Sequence, residues 1–202
     1  MAETKRTRPK LEPLELSCTR SDCENDLHCF RESKRRAKHP SGSCQSCGAI
    51  LVDWGQVRKR DLNDRKHTVE SLKKEWIRHH YWHREIDEQA RNHALRKGRS
   101  GIRVAAERRI RTSVTTKGNR EGRQTPWEGN ILYYAQHATA CCCRRCMEYW
   151  HGIPQDQPLT EKQIEYFKEL CLGYVFERMP ELPEQGQKVP PISRKQDKGS
   201  NQ

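Results

Sequence analysis

Residues 137–151 read His-Ala-Thr-Ala-Cys-Cys-Cys-Arg-Arg-Cys-Met-Glu-Tyr-Trp-His, with four cysteines and two histidines in fifteen positions. So dense a run of thiolate and imidazole donors has the makings of a transition-metal ligand set, for zinc above all. The run constrains the fold because the chain has little else to fold around. Only 33% of its 202 residues are apolar, with three Phe and three Met. Ordinary globular domains reach about 45–50% on a scale that also counts Gly. A core this thin needs a staple, and ten cysteines can supply one. Three cysteines in a row argue against a simple disulfide framework. The N-terminus lacks a hydrophobic signal core, so a reducing cytoplasm is expected, with thiols or metal ligands rather than disulfides. No apolar run approaches the roughly 20 residues of a membrane span, so no membrane partner is expected.

The expected fold is mainly α with a small zinc-ribbon-like N-terminal module, irregular and metal-stabilised. Composition divides the chain into a charged tail (1–15), a zinc-binding module (16–60), a helical domain with the Cys/His cluster (61–180) and a Pro-, Gly-, Gln- and Lys-rich tail (181–202) expected to be disordered. Val69, Leu72, Trp76 and Ile77 predict a helix over 68–97, continued after a break near His83 by Ile86, Ala90, His93 and Ala94 and stopped at Gly98. A second short helix is expected over 102–111, then a long loop over 112–130. Ile131–Ala135 reads as a short buried strand or as the run-in to a helix over 139–150, which Gly152-Ile153-Pro154 would close. Thr160 and Gln163 form a capping box for a last helix with apolar residues Ile164, Phe167, Leu170, Cys171, Tyr174 and Val175.

Two clusters are candidate metal sites, for one ion or two. Cys44-Gln-Ser-Cys47-Gly48 has the form of a zinc knuckle, and Cys18 with Cys23 is the first choice for its second pair, with His28 and Cys29 as alternatives. In the later run, Cys143 and Cys146 would share one helix face, flanked by His137 and His151, with Cys142 in reserve. Some of Cys141, Cys142 and Cys171 fit plain buried core positions. With three protein ligands the second site would keep an open, catalytic position, and Cys143 beside His137 could instead be a thiolate nucleophile with its base.

Several stretches of the second half resemble a small bacterial family, domain of unknown function 4186. They are Gln124-Thr125-Pro126, Ala135-Gln136-His137-Ala138-Thr139-Ala140, Cys142-Cys143-Arg144 with Cys146, Trp150-His151-Gly152-Ile153-Pro154 and Pro158-Leu159-Thr160-Glu161. The resemblance runs from about Lys97 to about Met179 and leaves residues 1–95 outside. Cys141 stands where the family tends to carry Thr, which implies that it is not an essential ligand. The resemblance sharpens the site without naming an activity.

Charge points to a partner. The net charge is +12. Residues 96–123 hold Arg96, Lys97, Arg99, Arg103, Arg108, Arg109, Arg111, Lys117, Arg120 and Arg123 against only Glu107 and Glu121. A second basic cluster covers 31–38. Concentrated charge of this kind attracts polyanions, so nucleic acid, DNA or RNA, is the expected partner. Trp76 to His83 mixes aromatics and imidazoles; its helical spacing fits core anchoring, and its composition fits stacking on bases. The leading expectation is a cytoplasmic protein carrying one or two zinc ions that binds nucleic acid, with Arg96, Lys97, Arg99, Arg103, Arg108, Arg109 and Arg111 in the contact. The alternatives are an enzyme working through the 137–151 cluster and an interaction adaptor in which zinc is only structural.

Overall fold

The computed structural model describes residues 16–32, 39–115 and 124–189. These residues form α1 (Trp54–Arg58), α2 (Arg65–Lys73), α3 (Trp76–His83), α4 (Glu88–Ser113), α5 (Ile131–Ala138), α6 (Arg144–His151) and α7 (Glu161–Arg178). Extended pairing among the described residues is confined to two isolated bridges, Asp22 with Leu27 and His28 with Glu75. The fold is mainly helical, with a Cys/His cluster near the N-terminus. No helix in the described residues is long and apolar enough to cross a membrane.

The helix expected over 68–97 is three pieces. Glu75 is extended (φ −86°, ψ 128°), so the chain leaves α2 and starts α3 afresh at Trp76. After α3, Asp87 caps α4 by accepting from the Ala90 N–H at 2.8 Å. The other Asp87 oxygen accepts from Tyr134 Oη and the Gly129 N–H, tying the α3–α4 corner to the start of α5. Each break therefore aims a carboxylate inward, a use that apolar periodicity does not register.

Gly98 kinks a helix where the sequence suggests a stop. Its φ of 62° and ψ of 179° lie inside α4, which continues to Ser113 and absorbs the helix expected over 102–111. The kink frees backbone donors that the C-terminal segment takes up. Arg99 N–H donates to the Pro183 carbonyl at 2.8 Å and Ser100 N–H to that of Glu184 at 3.0 Å, while Gln187 N–H donates to Leu95 at 2.8 Å. A Cβ at Gly98 would sit 2.4 Å from the Gln185 carbonyl carbon, so only glycine admits this crossing. The segment 181–189, expected to be a disordered tail, is thus bonded to α4 as far as Gln187. The basic run 33–38, residues 116–123 and both extreme ends, 1–15 and 190–202, lie outside the described residues.

Ile131–Ala135 is helical, as the first part of α5, capped by Asn130. The helix expected over 139–150 starts only at Arg144. Ala140 takes a left-handed backbone (φ 55°), and Cys143 is extended at the N-cap of α6. Gly152 closes α6 in the left-handed conformation, and the Thr160–Gln163 capping box opens α7, both as the sequence implies.

The main core is built by α3, α4, α5 and α7 from Ile77, Ile102, Ile110, Tyr134, Phe167 and Tyr174, among others. A second core contains Phe30, Val52, Val57, Leu72 and Trp150 together with Cys44, Cys142, Cys143 and Cys146. Trp54 and Tyr149 pack on it, with the Trp54 and Trp150 ring centroids 5.0 Å apart. The cysteine-rich N-terminal region is therefore folded against α6, and the sulfurs from both ends of the chain lie in one apolar layer.

Candidate metal centres

Among the described residues, two groups of side chains could hold a metal ion: Cys23, His28, Cys44 and Cys47, and Cys142, Cys143 and Cys146. Within each group the ligating atoms lie within 4.8 Å of one another.

In the first group, Cys23 Sγ lies 3.7 Å from Cys44 Sγ, and Cys47 Sγ lies 3.5 Å from His28 Nδ1. Zn–S bonds of about 2.3 Å and Zn–N bonds of about 2.0–2.1 Å in a tetrahedron give edges of about 3.8 Å for S···S and about 3.6 Å for S···N. The observed edges match. The other His28 nitrogen, Nε2, is 2.9 Å from Asp26 Oδ1, the carboxylate partner that orients a ligating imidazole and leaves Nδ1 free for metal. The Cys44-x-x-Cys47 turn closes through a Gly48 N–H donated to the Cys44 carbonyl at 2.8 Å, with Gly48 left-handed at φ 81°. Burial pushes the Cys44 thiol up, but backbone donors at Cys29, Cys47 and Ser46 and the His28 side chain outweigh it and bring it down to about 6. The shift favours the thiolate at Cys44, the form a metal needs, while burial and the Cys47 and Cys44 side chains push its neighbour Cys23 up to about 11.

The second group is assembled from a turn and a helix. Cys142 and Cys143 lie in the turn before α6, and Cys146 is in its first turn. All three are buried. The fully buried Arg78 donates from Nη2 to Cys146 Sγ at 3.2 Å, from Nη1 to Cys142 Sγ at 3.7 Å, and from Nη1 to the His137 carbonyl at 2.6 Å. Its Nε donates to Glu75 Oε2 at 2.9 Å. Glu75, also fully buried, accepts from Tyr149 Oη and from Trp150 Nε1, the latter at 2.7 Å. Hydrogen bonds from Cys142, Cys143 and Cys18 hold the Cys146 thiol well below its usual range against the effect of burial, and Arg78 lowers it further. The Cys142 and Cys143 thiols are shifted the other way, upward, so the negative charge of the group sits on Cys146, beside Arg78.

Among the predicted ligands, Cys23, Cys44 and Cys47 share the first group with His28, which stands where Cys18 is the first choice from spacing. Cys18 lies outside both groups, with its carbonyl 3.5 Å from Cys29 Sγ. Cys29 is a buried thiol pushed up to about 12 by burial, with its Sγ on the Cys18 and Arg31 carbonyls. Cys143 and Cys146 are brought together with Cys142, whereas His137 and His151 belong to neither group. The His137 ring is stacked between Tyr81 and Trp127, at centroid distances of 4.7 and 4.6 Å, and its Nε2 is on the Pro126 carbonyl. Its Nδ1 has no hydrogen-bond partner among the described residues, so the pairing of His137 as a base with Cys143 is not assembled there. His151 places Nε2 on the Thr139 carbonyl at 3.0 Å and Nδ1 against Tyr166 Oη at 3.3 Å. Cys141 and Cys171 form a separate buried contact, Sγ to Sγ at 3.5 Å. The expectation that one helix face aligns the ligands with both histidines fails because the chain turns at Ala140 and α6 begins only after Cys143.

Of the seven basic residues expected at a nucleic-acid contact, four are engaged within the chain. Arg99 bonds to the Leu182 and Pro180 carbonyls and lies over Phe176, as does Arg103. Arg109 bonds to Gln136 and Gln124, and Arg111 pairs with Glu107 and Glu161. Arg96, Lys97 and Arg108 are exposed. Trp76 stacks on His80 at 5.3 Å and carries Arg20 over its ring at 4.3 Å. A cleft of about 560 Å³ opens where the N-terminal region meets α6, lined in part by Arg31, Trp54, Arg58, Arg145 and Tyr149.

Glu75 and Arg78 were not singled out by sequence reasoning. Their only signal is an opposite-charge pair three residues apart inside an otherwise aromatic and apolar stretch, which on an exposed helix would be an ordinary surface pair.

Residues 64–175 match the model of a family described as Domain of unknown function (DUF4186). The match starts before Lys97 and so takes in α2 and α3, including Glu75 and Arg78. No solved structure matches the chain.

Proposed function

The chain belongs to the DUF4186 family, and from that premise we propose that it is a zinc protein, with one ion in each cysteine group, that binds single-stranded nucleic acid at the seam between its N-terminal region and α6. The observation that carries the zinc reading is the first group, whose 3.7 Å S···S and 3.5 Å S···N edges suit one tetrahedral ion. Three sulfurs and one imidazole favour zinc among the common divalent ions. With four protein ligands the first site is closed, so its role is to supply folding energy rather than to activate water. A cytoplasmic setting suits a chain whose ten cysteines are all free.

The nucleic-acid reading is supported by the +12 net charge and by the cleft. Arg58 lies over the Trp54 ring at 5.2 Å, and Arg145 is exposed on the rim. Guanidinium groups beside aromatic rings suit phosphates and unstacked bases together. The test is fluorescence anisotropy of a labelled single-stranded oligonucleotide titrated with the full chain between about 50 and 200 mM salt, where phosphate contacts make affinity fall steeply. Arg145→Glu should weaken binding at every salt concentration. Absence of affinity for both DNA and RNA at the lowest salt would remove this part of the reading.

A further inference from the structure

We infer that a strand bound at the seam cleft runs on across the Arg58-Lys59-Arg60 turn into a second recess, where Lys59, Arg60 and Lys162 hold its phosphates. This rests on the reading of the seam as a single-strand site and extends that site to the start of α7.

The second recess has a volume of about 550 Å³ and lies where the turn after α1 meets the first turns of α7. Lys59, Arg60 and Lys162 bring three cations to it, and Leu62 and Tyr166 give it apolar walls. Leu62 is 39% exposed, and Tyr166 is buried with its Oη 3.3 Å from His151 Nδ1. The hydroxyl is thus occupied inside, and the ring is what the recess can offer. Two carboxylates also line it, and both are engaged. Asp61 Oδ1 accepts from the Asn63 N–H at 2.9 Å, and Glu165 pairs with Lys168. Glu161, beside Lys162 in sequence, pairs with Arg111 on α4. Among the described residues the ammonium groups of Lys59 and Lys162 have no hydrogen bond or ion pair. Unpaired cations over apolar walls suit a phosphate that carries a base.

Two of the three cations stand against local preference. Arg60 has a left-handed backbone at φ 56°, a region that residues other than Gly rarely enter. Strain of this kind gathers at ligand clamps. Lys162 sits in the first turn of α7, where the helix dipole disfavours a cation.

The two recesses share one turn. Arg58 lines the seam cleft, and the next two residues line the second recess. Arg58 Nη2 donates to the Tyr149 carbonyl at 3.1 Å and Arg60 Nη1 to the His151 carbonyl at 2.7 Å. Both guanidiniums are therefore fixed on the last turn of α6, with Lys59 between them. Two residues span at most about 7 Å, so a strand leaving the cleft at Arg58 meets the second set of cations at once. The seam cleft, at about 560 Å³, has the size of a site for one small ligand. A strand of several nucleotides has to leave it.

The test uses the full, zinc-loaded chain and fluorescence anisotropy of labelled oligothymidylate and oligouridylate, each of about three and about ten nucleotides. The ten-mer should bind the wild type more tightly than the trimer. Lys59→Glu with Lys162→Glu should weaken the ten-mer by about 10-fold or more and lower its salt slope by about 1.4, two single-strand phosphates. Trimer affinity should stay within about 2-fold, because the trimer fills the seam cleft alone. Lys97→Glu with Arg108→Glu makes the same change in net charge at exposed positions on α4 and should affect the ten-mer less. Far-ultraviolet circular dichroism checks each fold, and the Gln pair at 59 and 162 replaces the Glu pair if that chain is misfolded. A ten-mer that binds no tighter than the trimer overturns the inference. So does a ten-mer unaffected by the changes at 59 and 162, or weakened equally by the α4 pair. If Arg145→Glu still weakens both lengths in those cases, the seam reading stands without the extension. A wild-type chain that binds neither length overturns both.

Discussion

Arg78 Nη2 donates to Cys146 Sγ at 3.2 Å, and the arginine has no exposed surface. Three residues before it, Glu75 takes the Arg78 Nε and bridges to His28, whose N–H and carbonyl bond to the Lys74 carbonyl and the Trp76 N–H at 2.8 and 2.9 Å. The α2–α3 junction thus touches the first cysteine group through the His28 backbone and the second through a side chain. Removing the guanidinium would leave Glu75 without its ion-pair partner in the core, where burial already pushes its carboxyl up.

Arg78→Met should therefore cost about 3–5 kcal/mol of stability, the usual loss when one partner of a buried ion pair is removed. Urea denaturation in zinc-containing buffer measures it. Glu75→Gln combined with Arg78→Met should cost less than the sum of the two single changes, because the pair is coupled. A loss below about 1 kcal/mol for Arg78→Met would mean that the arginine is a spectator.

Gly98→Ala should destabilise the chain by about 1–3 kcal/mol, the range for forcing a side chain into a left-handed backbone. The added methyl would also meet the Gln185 backbone, so the 183–187 crossing should loosen. Faster amide exchange at Arg99, Ser100 and Gln187 would report it. Unchanged protection at those three positions would contradict the crossing as the reason for this glycine.

Much of this architecture is legible in the sequence where a short motif has one physical meaning. The Thr160–Gln163 box, the Gly152 stop and the Cys44-x-x-Cys47 turn each specify local geometry. The second group was legible as a cluster but not as a ligand set. His137 and His151 are near its cysteines in sequence, yet the left-handed turn at Ala140 and the late start of α6 send their rings to Trp127, Thr139 and Tyr166 instead. His28 is the converse case: it joins Cys23, Cys44 and Cys47 although its spacing makes it only an alternative to the Cys18 and Cys23 pair. The role of Glu75 also depends on tertiary burial: an extended residue between two helices reads as a helix interior when the apolar spacing on both sides is in phase.

The two histidines predict an acid dependence. Burial holds His137 down at about 3, with the Arg78 charge adding to the effect, and holds His151 down at about 4. In the unfolded chain both imidazoles take up protons near pH 6.5. Below that pH the unfolded state binds protons that the folded state refuses, so the stability present above about 6.5 is lost as the pH falls toward the folded values. Each histidine should contribute a loss of about 1–2 kcal/mol between pH 7 and pH 5. With zinc saturating, His151→Gln should show a shallower decline than the wild type by one such increment; equal slopes would contradict a neutral, buried His151.

If the seam cleft holds phosphate, each contact removed should flatten the salt dependence. Arg145→Ala should reduce the slope of log K against log salt by about 0.7, the value for one single-strand phosphate. Arg96→Ala, on α4 and outside the residues that line the cleft, should change it less. The reverse order would move the contact to α4.

The proposal of one zinc ion in each cysteine group fixes a stoichiometry. Elemental analysis of the full-length chain, purified without a metal-affinity step and quantified by amino-acid analysis, tests it most directly. Two zinc ions per chain are expected, falling to one in Cys44→Ser. A wild-type chain that is folded and carries no zinc would contradict it.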